Sequence, residues 1–191
     1  MKTLYMIGGT MGVGKTTVCQ ILKRELNRAV FLDGDWCWDA DPFQVNDETK
    51  EMVIRNICFL LNSFIHCSAY ENIVFGWVMH RQDIMDDVLS RLDLSACTVK
   101  AVSLVCSPEA LRERLEKDVQ AGIRKQDVID RSIERLPLYE ELKTLKIDTS
   151  GLTPAETAAR IAGSPEWRHD TRTVSKSGGI VTFLNPAQLT V

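Results

Sequence analysis

The sequence predicts an α/β protein in which a parallel sheet is covered by helices on both faces. Three observations carry that reading. Five short apolar runs alternate with stretches of helical spacing along the chain. The runs are apolar nearly throughout, which is the pattern of strands buried on both sides. The first run passes through a loop with glycines at 9, 12 and 14 straight into the first helical stretch. A length of 191 residues suits one domain. The composition, 45% hydrophobic and 26% charged, is that of a soluble globular chain that buries a core without disulfides.

Taken in order, residues 3–7 read as the first strand. Val18, Ile21, Leu22 and Leu26 then share one helical face. Residues 29–33, Ala-Val-Phe-Leu-Asp, form a short buried strand that ends in an acid. Residues 51–67 are a strongly apolar helix, and residues 72–77 a third buried strand. Ile84, Met85, Val88, Leu89 and Leu92 keep helical spacing. Residues 98–106 are the fourth strand, and Ser107-Pro108 is a helix start with serine as the cap and proline in the first turn. Two charged helical pieces come next, 108–119 and about 126–142, with Pro137 expected to kink or end the second. Residues 144–150 hold the fifth strand. Thr153 and Glu156 form a capping box for a last short helix. Residues 163–191 are polar and weakly periodic, with one possible strand at 180–184, as an edge strand or an extension.

Composition narrows the partners. A formal net charge of −3 offers no footprint for nucleic acid or an anionic membrane. The most apolar stretch, 54–65, is interrupted by Arg55, Asn56, Asn62 and Ser63 and reads as a buried helix, not a membrane span. Six scattered cysteines without a C-x-x-C pair, beside only three histidines, argue for reduced, mostly buried thiols in a cytoplasmic protein and against a zinc site. The N-terminus is too short for a signal-peptide core. A monomer or homodimer acting on a small molecule is expected.

Gly9-Thr10-Met11-Gly12-Val13-Gly14-Lys15-Thr16 fits G-x-x-x-x-G-K-[ST] in full. Glycines let successive backbone N–H groups turn into one concavity, an anion nest. The helix starting near Lys15 aims its positive end at the same place. Lys15 is expected at the outer phosphates, the Thr16 hydroxyl on Mg²⁺, and Thr17 at the α-phosphate of ATP. At average residue usage, a chance match in a chain of this length is expected less than about once in 100. Asp33 and Asp35 come after the second strand, at the carboxyl edge where open α/β sheets bind ligands. On an extended segment, two acids spaced by two point the same way. The plainer alternative is a turn at Asp33-Gly34 with Asp35 capping the next segment.

With these residues in view, the chain resembles the small P-loop kinases: shikimate kinase, gluconate kinase, chloramphenicol phosphotransferase and the nucleoside monophosphate kinases. The resemblance covers about residues 1–162 and is carried by the glycine loop and by Phe31-Leu32-Asp33-Gly34-Asp35-Trp36. It implies a three-layer P-loop NTPase fold, a five-stranded parallel sheet in the order 2-3-1-4-5, and a short lid at about 119–127. It also implies that Asp33 assists Mg²⁺, and that Asp35 holds an acceptor hydroxyl and orients or deprotonates it. Lid arginines reach ATP in that family, which points to Arg114, Arg124 and Arg131, although the stretch after Arg114 lacks the second arginine of many relatives. Gly122 is the expected hinge. Thr149, Ser150 and Gly151 resemble the adenine-side loop. Exposed arginines beside Glu113, Glu116 and Glu134 are equally explained as solvated pairs.

The acceptor side is less defined. Trp36 and Trp38 wall a pocket or pack beneath the second helix. His80 and Arg81 lie at the ligand edge and are candidate acceptor contacts. Gly76 permits a close approach of a ligand or backbone. Residues 39–48 hold four acids and no base, which suits a second phosphate poorly. No apolar run at the third strand ends in a plain aspartate, which argues against a motor or AAA-type machine. Three functions compete: phosphotransfer from ATP to a hydroxyl of a small polar molecule, a nucleotide or deoxynucleotide kinase, and a nucleotide-binding regulatory switch.

Overall fold

The computed structural model describes residues 1–164 and the strands Arg172–Val174 and Ile180–Thr182. Strands are β1 (Lys2–Gly9), β2 (Ala29–Asp33), β3 (Asn72–Gly76), β4 (Cys97–Val105), β5 (Leu145–Asp148), β6 (Arg172–Val174) and β7 (Ile180–Thr182). Helices are α1 (Lys15–Glu25), α2 (Asp47–His66), α3 (Gln82–Ser90), α4 (Pro108–Gln120), α5 (Val128–Glu134), α6 (Leu136–Glu140) and α7 (Pro154–Gly163). A single 3₁₀ turn, Gly34–Cys37, links β2 to the segment before α2.

The first five strands run parallel in the order 2-3-1-4-5, as expected. β4 carries β5 along its carboxyl half, from Val102 opposite Leu145 to Val105 opposite Asp148. The amino half of the same edge pairs with β7, from Thr98 opposite Ile180 to Lys100 opposite Thr182, and β6 runs antiparallel to β7. The expected strand near 180 is therefore an addition to the sheet. Its residues 183 and 184 lie outside the described ones.

Side chains along β1 alternate between two cores, as the pleat requires. Leu4 and Met6 pack with Ile57, Leu61, Phe75 and Val88 on the side of α2 and α3. Tyr5 and Ile7 pack with Val18, Leu22, Leu104 and Ile161 on the side of α1 and α7. Register then fixes the functional edge: Ile7 lies opposite Gly76, and Gly76 opposite Asp33. The glycine loop, the end of β2 and the end of β3 therefore emerge at one level.

Helix starts are set by local chemistry. Ser107 accepts from Ala110 N at 3.1 Å, a cap of the kind that stabilises by about 1 kcal/mol. Thr153 and Glu156 close their box, with Thr153 N donating to Glu156 at 2.8 Å. α2 begins before residue 51 because Asn46 and Thr49 form a box of their own, at 2.9 and 3.0 Å. The second charged stretch divides at Arg135, and Pro137 sits in the first turn of α6 instead of bending one longer helix. All six cysteines are free. Among the described residues, no helix is long and apolar enough to cross a membrane.

Candidate active site

The loop between β1 and α1 needs glycine for two distinct reasons. Gly14 caps α1 with φ of 103°, a left-handed backbone, while a Cβ there would meet nothing within 4 Å. Gly12 also has positive φ, 81°, and a Cβ there would lie 2.5 Å from Leu115 of α4. The first glycine opens the loop toward solvent, and the second lets α4 pack beneath it. Thr10 is buried and donates to Ser132 O at 2.9 Å, tying the loop to α5. Val13 is buried in the core under α1.

A cavity of about 310 Å³ opens over this loop. Met11, Gly12, Gly14, Lys15, Thr16 and Thr17 line its floor, and Asp35, Arg114, Asp118 and Arg124 line its walls. The Lys15 ammonium donates to Thr10 O at 2.9 Å. Burial pushes its pKa down to about 8, against the pull of Asp35 and Asp33. The Thr16 hydroxyl donates to Asp33 Oδ2 at 2.8 Å. Asp33 is buried, and its other oxygen accepts from Asp35 N at 3.1 Å. Hydroxyl and carboxylate together make a pair of hard oxygen donors.

The two acids are not on one extended segment. β2 ends at Asp33, and the 3₁₀ turn swings Asp35 out over the loop. Asp33, not Asp35, caps that turn. Asp35 is exposed and faces the cavity. Desolvation and the neighbouring Asp33 push its pKa up, while Lys15, a hydrogen bond from Trp77 and Arg124 oppose that rise. Trp77 packs so tightly on the turn that a Cβ at Gly34 would lie 2.4 Å from its ring. Nothing in the sequence marks Trp77 as Asp35's partner.

The segment after α4, where a lid is expected, is held by its own geometry. Gly122 has φ of 70°, Gly122 N donates to Val119 O, and Ile123 N donates to Asp118 O, both at 2.9 Å. This is a Schellman end to α4, a fixed turn where a hinge is expected. Asp118 also binds Arg124 Nε through Oδ2 at 2.9 Å. That contact leaves the guanidinium's terminal N–H groups for the cavity. By resemblance alone, this stretch stands out only for the arginine it lacks. The acid found there holds Arg124 in its place.

Arg114 donates to Thr149 O at 2.6 Å and to Thr149 Oγ1 at 3.1 Å, joining α4 to the loop after β5. It separates the first cavity from a second of about 300 Å³, lined by Val13, Thr17, Val18, Leu152, Pro154 and Thr157 among others. That second space is mostly apolar and of a size for a planar base. Thr149 lines it; Ser150 instead donates to Asp148 Oδ1 and accepts from Ser107 N.

Three candidates are placed elsewhere. Arg131 is half-exposed on α5 and pairs with Asp127 one turn earlier at 3.7 Å, away from the cavity lining. Arg81 is exposed and donates through Nε to Asp83 at 2.9 Å. His80 Nδ1 is buried without a hydrogen-bond partner, and burial together with Arg135 and Arg81 lowers its pKa. Gly76 is needed by the protein itself, since a Cβ there would lie 3.0 Å from Cys19 Sγ of α1. Trp36 stands exposed against Phe31, with ring centroids 5.2 Å apart, whereas Trp38 packs on the α2 core.

Comparison with known proteins places this geometry. The family model described as AAA domain matches residues 6–136. Uncharacterized proteins of Mycobacterium bovis and Mycobacterium tuberculosis are 38% identical over 72 residues, which is 38% of this chain and 51% of theirs. The chain thus spans about half the length of the curated relatives it matches. The tunicamycin resistance protein of Deinococcus radiodurans superposes with a TM-score of 0.66 at 19% identity, covering 85% of this chain and 94% of that one. A gluconokinase of Sinorhizobium meliloti gives 0.62 at 18%, covering 83% and 89%. A shikimate kinase of Acinetobacter baumannii, solved with shikimate, gives 0.56 at 20%, covering 85% and 91%. These likenesses establish a P-loop kinase-like fold. The family carries the AAA description, yet β3 ends in Phe75-Gly76 and continues to Trp77 with no acid.

Proposed function

The chain belongs to the AAA domain family, and we propose that within it this protein is a small-molecule kinase that moves the γ-phosphate of ATP to a hydroxyl. One observation carries the reading: Asp35 and Arg124 face the same cavity as Lys15 and Thr16. A nucleotide with its base beside Val18 and Leu152 runs its phosphates past Thr17 and over the Gly12–Lys15 amides. Thr16 and Asp33 are the residues that would hold Mg²⁺. Among the described residues no cluster of three or more His, Cys, Asp or Glu offers the ion another home. When bound, the ion offsets charge on the phosphate oxygens.

Asp35 orients the acceptor hydroxyl and takes its proton as the acceptor oxygen bonds to the γ-phosphorus. The bond from that phosphorus to the bridging oxygen breaks, and ADP leaves. A carboxylate with a raised pKa is the better base for that step. Lys15 and the free edge of Arg124 meet the charge on the transferred group.

The test is ADP formation with ATP and Mg²⁺ against a panel of hydroxylated compounds and nucleotides. Acceptor-stimulated turnover is expected, with Asp35→Asn keeping ATP affinity and losing turnover by about 1,000-fold or more. ATP binding without stimulated turnover by any acceptor would favour a regulatory switch, and near-normal turnover in Asp35→Asn would remove Asp35 as the base.

A further inference from the structure

Exposed apolar side chains recur in the chain just after Asp35. Trp36 is 59% exposed, Phe43 58% and Val45 61%, all within the segment joining β2 to α2. Trp36 lines a groove of about 510 Å³, walled also by Trp38, Asp39, Met52 and Asn56 among others. Trp38 and Phe43 lie against one another with centroids 4.5 Å apart, giving one wall a flat aromatic face. The 3₁₀ turn joins this groove to the transfer site, because it sends Asp35 into the phosphate cavity and the next residue, Trp36, into the groove.

Charge is one-sided. Residues 33–49 hold Asp33, Asp35, Asp39, Asp41, Asp47 and Glu48 and no lysine or arginine. No basic residue lines the groove. Of the nearby cations, Lys50 pairs with Asp47 at 3.2 Å and Arg91 with Glu51 at 2.7 Å, and Arg55 is exposed on α2 beside Asn56 without entering the groove lining. Lys15 and Arg124 face the phosphate cavity. Burial lowers the pKa of His80, and Arg135 and Arg81, the latter bound to Asp83, stand near it, outside the groove lining.

We propose that the groove takes the body of the phosphate acceptor, and that the acceptor is a flat, largely apolar alcohol without negative charge, neutral or amine-bearing. This rests on the kinase reading of Asp35 and narrows it away from sugar acids and phosphorylated acceptors. An aromatic face beside carboxylates attracts a cation and tolerates a neutral ring, whereas an anion meets repulsion with no guanidinium in the groove lining to offset it.

Calorimetric titration of the full chain with three matched phenylcarbinols tests the class without requiring transfer. Phenylethanolamine is the cation, phenylethanediol the neutral form and mandelate the anion. The cation and the diol are expected to bind at least about tenfold more tightly than mandelate. Trp36→Ala and Phe43→Ala, both at exposed positions, are expected to abolish that preference while ATP affinity holds. Mandelate binding equally or more tightly would overturn the proposal. So would millimolar titrations in which neither the amine nor the diol binds, or a preference indifferent to both substitutions. The predicted binding order without any ADP formation would support the groove and count against the kinase reading alone.

Discussion

Lys15 should take up a proton when nucleotide binds at alkaline pH. Its pKa in the free protein is about 8, because burial outweighs the two nearby carboxylates. It is then roughly half neutral at pH 8 and about nine-tenths neutral at pH 9. A polyphosphate supplies the charge that burial removed, so the bound ammonium stays protonated across this range. Uptake is therefore expected near 0.1 proton per site at pH 7, about 0.5 at pH 8 and about 0.9 at pH 9. Affinity is expected to fall about fivefold from pH 8 to pH 9, or roughly 1 kcal/mol. The phosphates are fully ionised above pH 8 and contribute no slope of their own. Titration calorimetry in two buffers of different ionisation heat measures the uptake directly. Lys15→Arg, charged throughout, should show none. Uptake below about 0.2 at pH 9 with unchanged affinity would mean that burial does not depress this lysine, and the reasoning fails. The same shift bears on folding stability. Between about 8 and 10.5 the unfolded state binds the extra proton, so Lys15's contribution to stability rises with pH across that window.

The other predictions concern residues that hold the site in place. Trp77→Phe removes a hydrogen bond that lowers Asp35's pKa, so the acid limb of the pH–rate profile should move to higher pH; an unmoved limb would separate Trp77 from the base. Asp118→Ala should lower kcat more than ATP affinity by freeing Arg124, and Asp118→Asn should recover part of the loss, since an amide oxygen still accepts from Nε. Equal loss in both variants would point to charge instead of positioning. Gly34→Ala drives a methyl against the Trp77 ring at 2.4 Å, and thermal unfolding should show a loss of about 1–3 kcal/mol. A neutral result there would mean that the turn relaxes freely.

What the sequence discloses depends on how local the cause is. The phosphate loop is legible because one eight-residue pattern specifies backbone conformation, charge and helix start together. Asp33 is legible for a related reason: a strand ending in an acid at the ligand edge has few other uses, and the register with Gly76 puts it there. Arg124 is reached only through resemblance, and its placement depends on a Schellman turn whose glycine the sequence offers as a hinge. The start of α2 is readable in principle from Asn46 and Thr49, but the stronger apolar periodicity after residue 51 masks it. Trp77 and Asp118 leave no such trace. Each acts on a residue from another segment or across a turn, and neither has a spacing that names its partner. The same holds for the acceptor groove, whose walls come from a 3₁₀ turn, an extended segment and one face of α2. Periodicity identifies the face of α2 that enters the core. It says nothing of the flank on which Met52 and Asn56 meet Trp36, because that meeting is fixed by where β2 stops. On the proposed reading, acceptor choice depends on the placement of a turn, and a one-residue shift at Gly34 is expected to alter the groove while leaving the phosphate loop intact.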